Sequence, residues 1–244
     1  MEQFDITKEN GKHIRGFICK PDTCLEAPLP AVVFSHGFGS SCRFFFHHAK
    51  ELTATGIVCV FFDFVGGGME CYSDGEMKEM TLLTEVSDLS DVLSYISTLN
   101  FIDMNKLFLW GESQGGVIST LVAAKKEYNF LGLALWYPAY VIPDDSKKRL
   151  EKGDTSIFGI ELNADYDRIA ADMDLFNEME KCTMPVIIIH GDKDPVVPID
   201  YSKKALTKFT NASLIVIPGA EHGYNEKQSD YAKACMISFM KFFL

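Results

Sequence analysis

The feature that most restricts the fold of this chain is a rhythm of short apolar runs, each followed by a helical pattern. The runs are Ala31-Val32-Val33-Phe34, Ile57 to Phe62, Lys106 to Trp110, Leu131 to Trp136, Pro185 to Ile189 and Leu214 to Ile217. They lack polar alternation, so each strand must be covered on both faces. That requirement is met by a mostly parallel sheet between two layers of helix. The segments between the runs supply the helices. Leu82, Val86, Leu89, Leu93 and Ile96 recur at alternating steps of four and three and predict a helix over Thr81 to Thr98. Arg43 to Thr55 (ended by Gly56), Val117 to Lys126 and Ser229 to Phe243 also read as helices. The first residues behave differently. Gln3 to Thr7 and His13 to Cys19 flank the turn Glu9-Asn10-Gly11-Lys12, which predicts an antiparallel hairpin at one edge of the sheet. The stretch from Pro21 to Pro30 is expected to be a loop.

The class is therefore α/β, with a single domain over residues 1–244. One region breaks the rhythm. Nearly all of residues 137–184 separates the strand ending near Trp136 from the one starting at Pro185, far more than a crossover needs. This segment holds Tyr137, Tyr140, Phe158, Tyr166 and Phe176 among many charges. It reads as an insertion that forms a small cap at the carboxyl edge of the sheet, where open α/β sheets bind ligands. The alternative is a long surface excursion with a small core of its own.

The chemistry is concentrated in four blocks. Gly111-Glu112-Ser113-Gln114-Gly115-Gly116 lies between a predicted strand and a predicted helix. This is the G-x-S-x-G turn in the setting that gives it meaning. The chain must reverse sharply at Ser113, and side chains two residues to either side would collide. The turn lifts the Ser113 hydroxyl clear of the sheet and makes it a candidate nucleophile. The backbone N–H of Gln114, at the helix start, is aimed where an oxyanion would form.

A hydroxyl nucleophile needs a base. Of the six histidines, His13 lies in the edge hairpin, and His47 and His48 follow an aromatic run on a helix. His190 ends a strand and is expected to be structural. His222, in Pro218-Gly219-Ala220-Glu221-His222-Gly223, follows the last strand and reaches the same edge as Ser113. It is the expected base, and Glu221 beside it is expected to be exposed. The carboxylate that orients it comes from His190-Gly191-Asp192-Lys193-Asp194-Pro195. Asp192 is suited to bonding its own turn. Asp194 lies further out and is the expected partner of His222. The chain order Ser113, Asp194, His222 matches one of the known triad orders.

A second oxyanion donor is expected from Ser35-His36-Gly37-Phe38-Gly39-Ser40, after the first buried strand. The N–H of Phe38 is the candidate, paired with that of Gln114, and the Phe38 ring would serve as pocket wall. Asp63-Phe64-Val65-Gly66-Gly67-Gly68 lacks dinucleotide spacing and reads as a structural turn near the site.

Taken together, the H-G-F-G loop at His36 to Gly39, the elbow with Gly115-Gly116, the block His190 to Pro198 and the block Pro218 to His222 resemble α/β-hydrolase esterases. The resemblance runs along nearly the whole chain and is nearest to bacterial cinnamoyl (feruloyl) esterases. It implies hydrolysis of esters of hydroxycinnamic acids, with the insertion holding the aromatic acid. By the same resemblance, Asp145 and Tyr166 are candidates for contact with the phenol hydroxyl. One position departs from the group: Glu112 stands before the nucleophile, where histidine is more usual.

The expected function is that of a serine carboxylesterase acting on small to medium esters, a chemistry that requires no metal or cofactor. Monoacylglycerol lipase, thioesterase and peptidase activities use the same machinery, and a non-catalytic binding protein of this fold is the alternative of another class. The net charge of −11 argues against nucleic acid and anionic membranes as partners. A small-molecule ester is the expected partner, with a homodimer open. Met1-Glu2-Gln3-Phe4-Asp5 shows no signal pattern, and the seven scattered cysteines read as reduced thiols, so the expected compartment is the cytoplasm.

Overall fold

A computed structural model of the chain describes residues 1–22 and 28–244. The strands are β1 (Glu2–Thr7), β2 (His13–Cys19), β3 (Leu29–Ser35), β4 (Val58–Phe62), β5 (Ile102–Glu112), β6 (Phe130–Trp136), β7 (Ser156–Ile157), β8 (Ile160–Glu161), β9 (Val186–Gly191) and β10 (Ala212–Ile217). Eight of them form one sheet in the order β1-β2-β4-β3-β5-β6-β9-β10. From β4 to β10 every neighbouring pair is parallel, while the β1–β2 hairpin joins β4 antiparallel. The α/β class, the parallel sheet and the edge hairpin stand as the sequence led us to expect.

The helices are α1 (Ala49–Ala54), α2 (Leu82–Ser97), α3 (Gln114–Lys125), α4 (Ile142–Lys152), α5 (Ala164–Ala171), α6 (Leu175–Met179), α7 (Asp200–Leu206) and α8 (Glu226–Phe243). They divide between the faces of the sheet. On one face Leu82, Leu89 and Leu93 of α2 and Val117 and Ile118 of α3 pack against Val33, Val60 and Leu109. On the other, Leu52 of α1 and Ala232, Met236 and Met240 of α8 pack against Phe34, Phe61 and Ile189. Alternate residues of each strand thus feed two separate cores, which explains why the runs carry no polar face. No helix among the described residues is long and apolar enough to cross a membrane. The six described cysteines are free. Cys24 and the middle of the Pro21–Pro30 loop lie outside the described residues.

Several boundaries differ from expectation, among them the starts of β5, at Ile102 rather than Lys106, and of α8, at Glu226 rather than Ser229. Leu29 and Pro30 already belong to β3, so the loop ends earlier than proline content suggested. The segment expected as one helix from Arg43 to Thr55 opens as a 3-10 turn over Cys42–His48 and turns α-helical only in α1. Cys42, Phe45 and His48 are its buried residues. Their spacing of three is the repeat of a 3-10 helix and aims all three at the core. Finally, α3 begins at Gln114, three residues before the predicted start at Val117. The elbow glycines tolerate helical geometry, and burial of the first turn outweighs their poor propensity.

Helix α2 follows its prediction to within a residue. Thr81 is its N-cap, its hydroxyl accepting the Thr84 N–H at 3.1 Å while the Thr84 hydroxyl takes the Thr81 N–H at 2.9 Å. Losing such a cap costs about 1 kcal/mol. Urea denaturation of Thr81→Ala should therefore show a lower midpoint with an unchanged slope, and an unshifted midpoint would discount the cap.

Candidate active site

The strand order reverses between β3 and β5. From β3 the chain moves to β4 on one side, and from β5 it moves to β6 on the other. The loops after these two neighbours diverge and leave a crevice at their carboxyl ends, where α/β sheets bind ligands. The His36–Gly39 loop follows β3, Ser113 follows β5, Asp194 follows β9 and His222 follows β10. Parallel pairing alone therefore brings all four blocks to one edge.

Ser113 sits at φ 48° and ψ −118°, outside the regions ordinary residues favour. Its N–H donates to the Trp136 carbonyl at 3.0 Å, and its own carbonyl accepts the Ala139 N–H at 2.9 Å, which pins the turn. The flanking glycines are required by space. A Cβ on Gly111 would stand 2.4 Å from the Gly115 carbonyl oxygen, and one on Gly115 would stand 2.1 Å from that of Ser35.

The three expected triad residues come together. His222 Nε2 lies 3.1 Å from Ser113 Oγ, and His222 Nδ1 lies 2.7 Å from Asp194 Oδ2. The Tyr137 ring packs 4.7 Å from the His222 ring and supports its face. Asp194 is buried, and burial by itself would raise its carboxyl. Hydrogen bonds from His190, His222 and the Val197 N–H outweigh that and hold it well below the ordinary range, as a carboxylate. Its Oδ1 accepts the N–H groups of Val196 and Val197 at 2.9 and 2.8 Å.

His190, expected to be merely structural, is part of this arrangement. Its Nε2 faces Asp194 Oδ2 at 3.1 Å and the Val197 carbonyl at 2.9 Å. Two acceptors require Nε2 to carry the proton, so Nδ1 accepts from the Ser202 hydroxyl at 2.7 Å. Sequence reasoning missed the link because Ser202 lies on α7, a helix the apolar pattern did not reveal, and because the turn that brings Asp194 and Val197 back onto the His190 ring carries no apolar period. Asp192 needs a correction. It does not bond its own turn: its Oδ1 accepts the Gly219 N–H at 2.6 Å, and Lys193 N–H donates to the Ala220 carbonyl at 3.0 Å. These bonds tether the His222 loop to the Asp194 loop. Glu221 is exposed, as expected.

The oxyanion candidates are equally available. Among the described residues, neither the Phe38 N–H nor the Gln114 N–H has an acceptor. The loop carrying Phe38 is held from behind. Gly39 N–H donates to the Gly67 carbonyl at 3.0 Å, and the Phe64 N–H donates to His36 Nε2 at 3.2 Å. The glycine-rich turn after Asp63 is thus a buttress. His36, Asp63 and Cys71 bring ligand-type atoms within 4.8 Å of one another. All are already engaged: Asp63 accepts the Cys42 and Tyr72 N–H groups at 2.6 Å each, and Cys71 Sγ donates to the Ser40 carbonyl. This set is suited to holding the loop rather than a metal.

Ser113, Gln114 and Phe38 line one cavity of about 80 Å³ with Asp145, Arg149 and Tyr166 from the 137–184 segment. The two residues implied as phenol contacts therefore reach the same cavity as the elbow serine. Tyr166 is 1% exposed, and its hydroxyl donates to Gln114 Oε1 at 2.6 Å. Asp145 accepts from Lys148 at 2.9 Å. The Phe38 ring also lines the cavity and meets Phe158 edge-on at 6.2 Å, so its side chain is wall as expected.

A sequence profile of the Hydrolase_4 family, described as serine aminopeptidase S33, matches residues 26–158, more than half of the chain. The chain belongs to this family. A non-heme haloperoxidase of Rhodococcus erythropolis is 36% identical over 81 residues, 32% of this chain and 30% of that protein. The chain spans about a third of the length of the first curated relatives it matches. Esterase YjfP of Escherichia coli (strain K12) is 22% identical over 234 residues, 85% of this chain and 88% of that one. Among solved structures, Est1E from Butyrivibrio proteoclasticus with bound ferulic acid superposes with a TM-score of 0.84 at 24% identity, over 96% of this chain and 98% of that one. The fold is that of the α/β-hydrolases.

The residue before the elbow serine has an unusual environment. Glu112 is 5% exposed, and its Oε1 has no hydrogen-bond partner among the described residues. Burial pushes its carboxyl well above the ordinary range and keeps the proton on. An unfolded glutamate releases its proton near about pH 4.3. Above that pH the folded state must retain a proton that the unfolded chain gives up, so this group's contribution to stability falls as pH rises towards its folded value. Glu112→Gln removes the linkage. Its melting temperature relative to the parent should climb as pH rises above about 4.3. A difference constant with pH would mean that Glu112 ionises normally.

Proposed function

We propose that this hydrolase cleaves carboxylic esters through an acyl-enzyme, with Ser113 as nucleophile, His222 as base and Asp194 as its orienting acid. The observation that carries the reading is the continuous chain Ser113 Oγ, His222, Asp194 at 3.1 and 2.7 Å, beside the unengaged N–H groups of Phe38 and Gln114. Ser113 Oγ attacks the ester carbonyl and its proton passes to His222 Nε2. The carbonyl oxygen becomes an oxyanion that accepts from the Phe38 and Gln114 N–H groups, an interaction of about 3–4 kcal/mol per donor in such sites. The imidazolium, stabilised by Asp194, protonates the departing alcohol. Water then attacks the acyl-enzyme along the same path, its proton taken by His222 and returned to Ser113 as the acid leaves. His190 keeps Asp194 ionised and aimed.

The substrate reading is a hydroxycinnamoyl or similar aromatic ester. It is supported by the likeness in fold to Est1E with bound ferulic acid and by a cavity that pairs apolar wall, from Ala139, Val141, Ile142 and Val197, with Asp145 and Tyr166. The 137–184 segment acts as a cap over the crevice in this reading, and Asp145 and Tyr166 contact the ring hydroxyl.

Ser113→Ala should lose at least about a thousandfold in kcat with its melting temperature retained, since the hydroxyl is the reacting group. Asp194→Asn should lose about 10⁴-fold, because the amide can no longer hold the reactive tautomer of His222. Substantial turnover in the Ser113 variant would overturn the mechanism. The substrate is tested by comparing kcat/KM for methyl ferulate and for a p-nitrophenyl ester of similar acyl size, corrected for leaving-group reactivity. Hydrolysis of the activated ester alone would remove the cinnamoyl reading and keep the esterase.

A further inference from the structure

Beyond the backbone N–H groups of Phe38 and Gln114, the side chains lining the cavity leave one donor group unspent. The polar side chains are Ser113, Gln114, Asp145, Arg149 and Tyr166. The Ser113 hydroxyl faces His222. Tyr166 has a single proton, and it goes to Gln114 Oε1. The Gln114 amide nitrogen faces Glu85 Oε2 at 2.8 Å and Met80 Sδ at 3.5 Å. Asp145 is an acceptor. Tyr166 and Asp145 can therefore offer a ligand only lone pairs.

Arg149 differs. Its Nε and Nη2 grip both oxygens of the buried Asp167 at 2.7–3.1 Å, and Nη2 also reaches Ser146 Oγ at 3.1 Å. Nη1 has no partner among the described residues. The Asp167 fork fixes the plane of a guanidinium whose side chain is only 17% exposed. The free nitrogen is thus held in one place rather than waving in solvent.

We propose that Arg149 is a specificity-determining residue of the acyl pocket, donating through Nη1 to an oxygen on the distal end of the acyl group. The inference rests on the ester-hydrolase reading. It also defines the chemical class. A hydroxyl is the group that satisfies the whole site: its oxygen accepts from Arg149 and its proton goes to Tyr166 or Asp145. A methyl ether can accept from Arg149 but leaves those acceptors unmet. A hydrocarbon end strips water from the guanidinium and returns nothing. Because Asp167 already neutralises Arg149 and Asp145 stands nearby, a second carboxylate on the ligand would be disfavoured relative to a neutral hydroxyl.

The test uses methyl esters of 4-hydroxycinnamate, 4-methoxycinnamate and unsubstituted cinnamate, with p-nitrophenyl acetate as a reference too short to span the cavity. The parent enzyme should rank them hydroxy, methoxy, unsubstituted in kcat/KM. The outer pair should differ by about tenfold to a hundredfold, as for a hydrogen bond to a charged group. In Arg149→Met that ratio should shrink to within about threefold, and the loss on the hydroxylated ester should exceed the loss on acetate by at least about tenfold. If removing one partner of the ion pair unfolds the segment, the double variant Arg149→Met, Asp167→Asn removes both charges and is read in the same way. An unchanged ratio in a folded variant, or equal losses on acetate and hydroxycinnamate, would overturn the role of Arg149 while leaving the esterase standing. A parent protein inactive on every ester, acetate included, would instead overturn the esterase reading, and this inference with it.

Discussion

The backbone of Ser113 is the constraint on which the rest depends. A non-glycine residue at positive φ costs about 1–3 kcal/mol, and that cost is met by the surroundings. Here the surroundings are the bond Ser113 donates to the Trp136 carbonyl, the one it accepts from the Ala139 N–H, and a seat with no room for a side chain at Gly111 or Gly115. A Cβ on Gly111 would fall well inside van der Waals distance of the Gly115 backbone, and one on Gly115 inside that of Ser35 and His36. The turn therefore locks β3, β5, β6 and α3 to one another. The same closeness that makes side chains impossible at these glycines brings the Phe38 loop beside the serine.

A second layer of order comes from bonds between loops. The loops after β9 and β10 leave neighbouring strands, but adjacency alone does not put Asp194 against His222. Asp192 and Lys193 tie the two loops together, and His190 with the Val196 and Val197 N–H groups fixes the carboxylate. A buried charge is tolerable only when so surrounded. The contrast with Glu112 shows the rule from the other side: buried, with its Oε1 unpartnered among the described residues, that carboxyl is pushed well above the ordinary range. The two acids are thus shifted in opposite directions, Asp194 down by its hydrogen-bond donors and Glu112 up by burial without them.

The blocks of the candidate site were legible because each is local. The elbow needs glycines at fixed spacing, and His222 and Asp194 lie directly after apolar strands whose pattern is clear. The 137–184 segment was legible only as an interruption. Its helices α4, α5 and α6 run to eleven residues at most with few apolar side chains, and the β7–β8 hairpin has two residues a side, so none offers a long apolar stripe. The Arg149–Asp167 pair joins residues eighteen apart on two such helices, and nothing in their spacing announces it. The Cys42–His48 turn misled for a related reason: three consecutive phenylalanines fit a helix of either pitch, and the packing of every third residue selects the tighter one.

The sequence by itself determined the sheet, its two helical coverings, the edge hairpin and the order of the candidate triad residues, because apolar periodicity and glycine spacing act over a few residues at a time. Only the tertiary structure decided which donors surround each acid, and hence which carboxyl is charged. It also decided which polar groups facing the cavity remain free to bind. Those properties belong to contacts between residues distant in the chain, and a hydrogen bond is won or lost over less than an ångström, a precision no pattern of residue types carries.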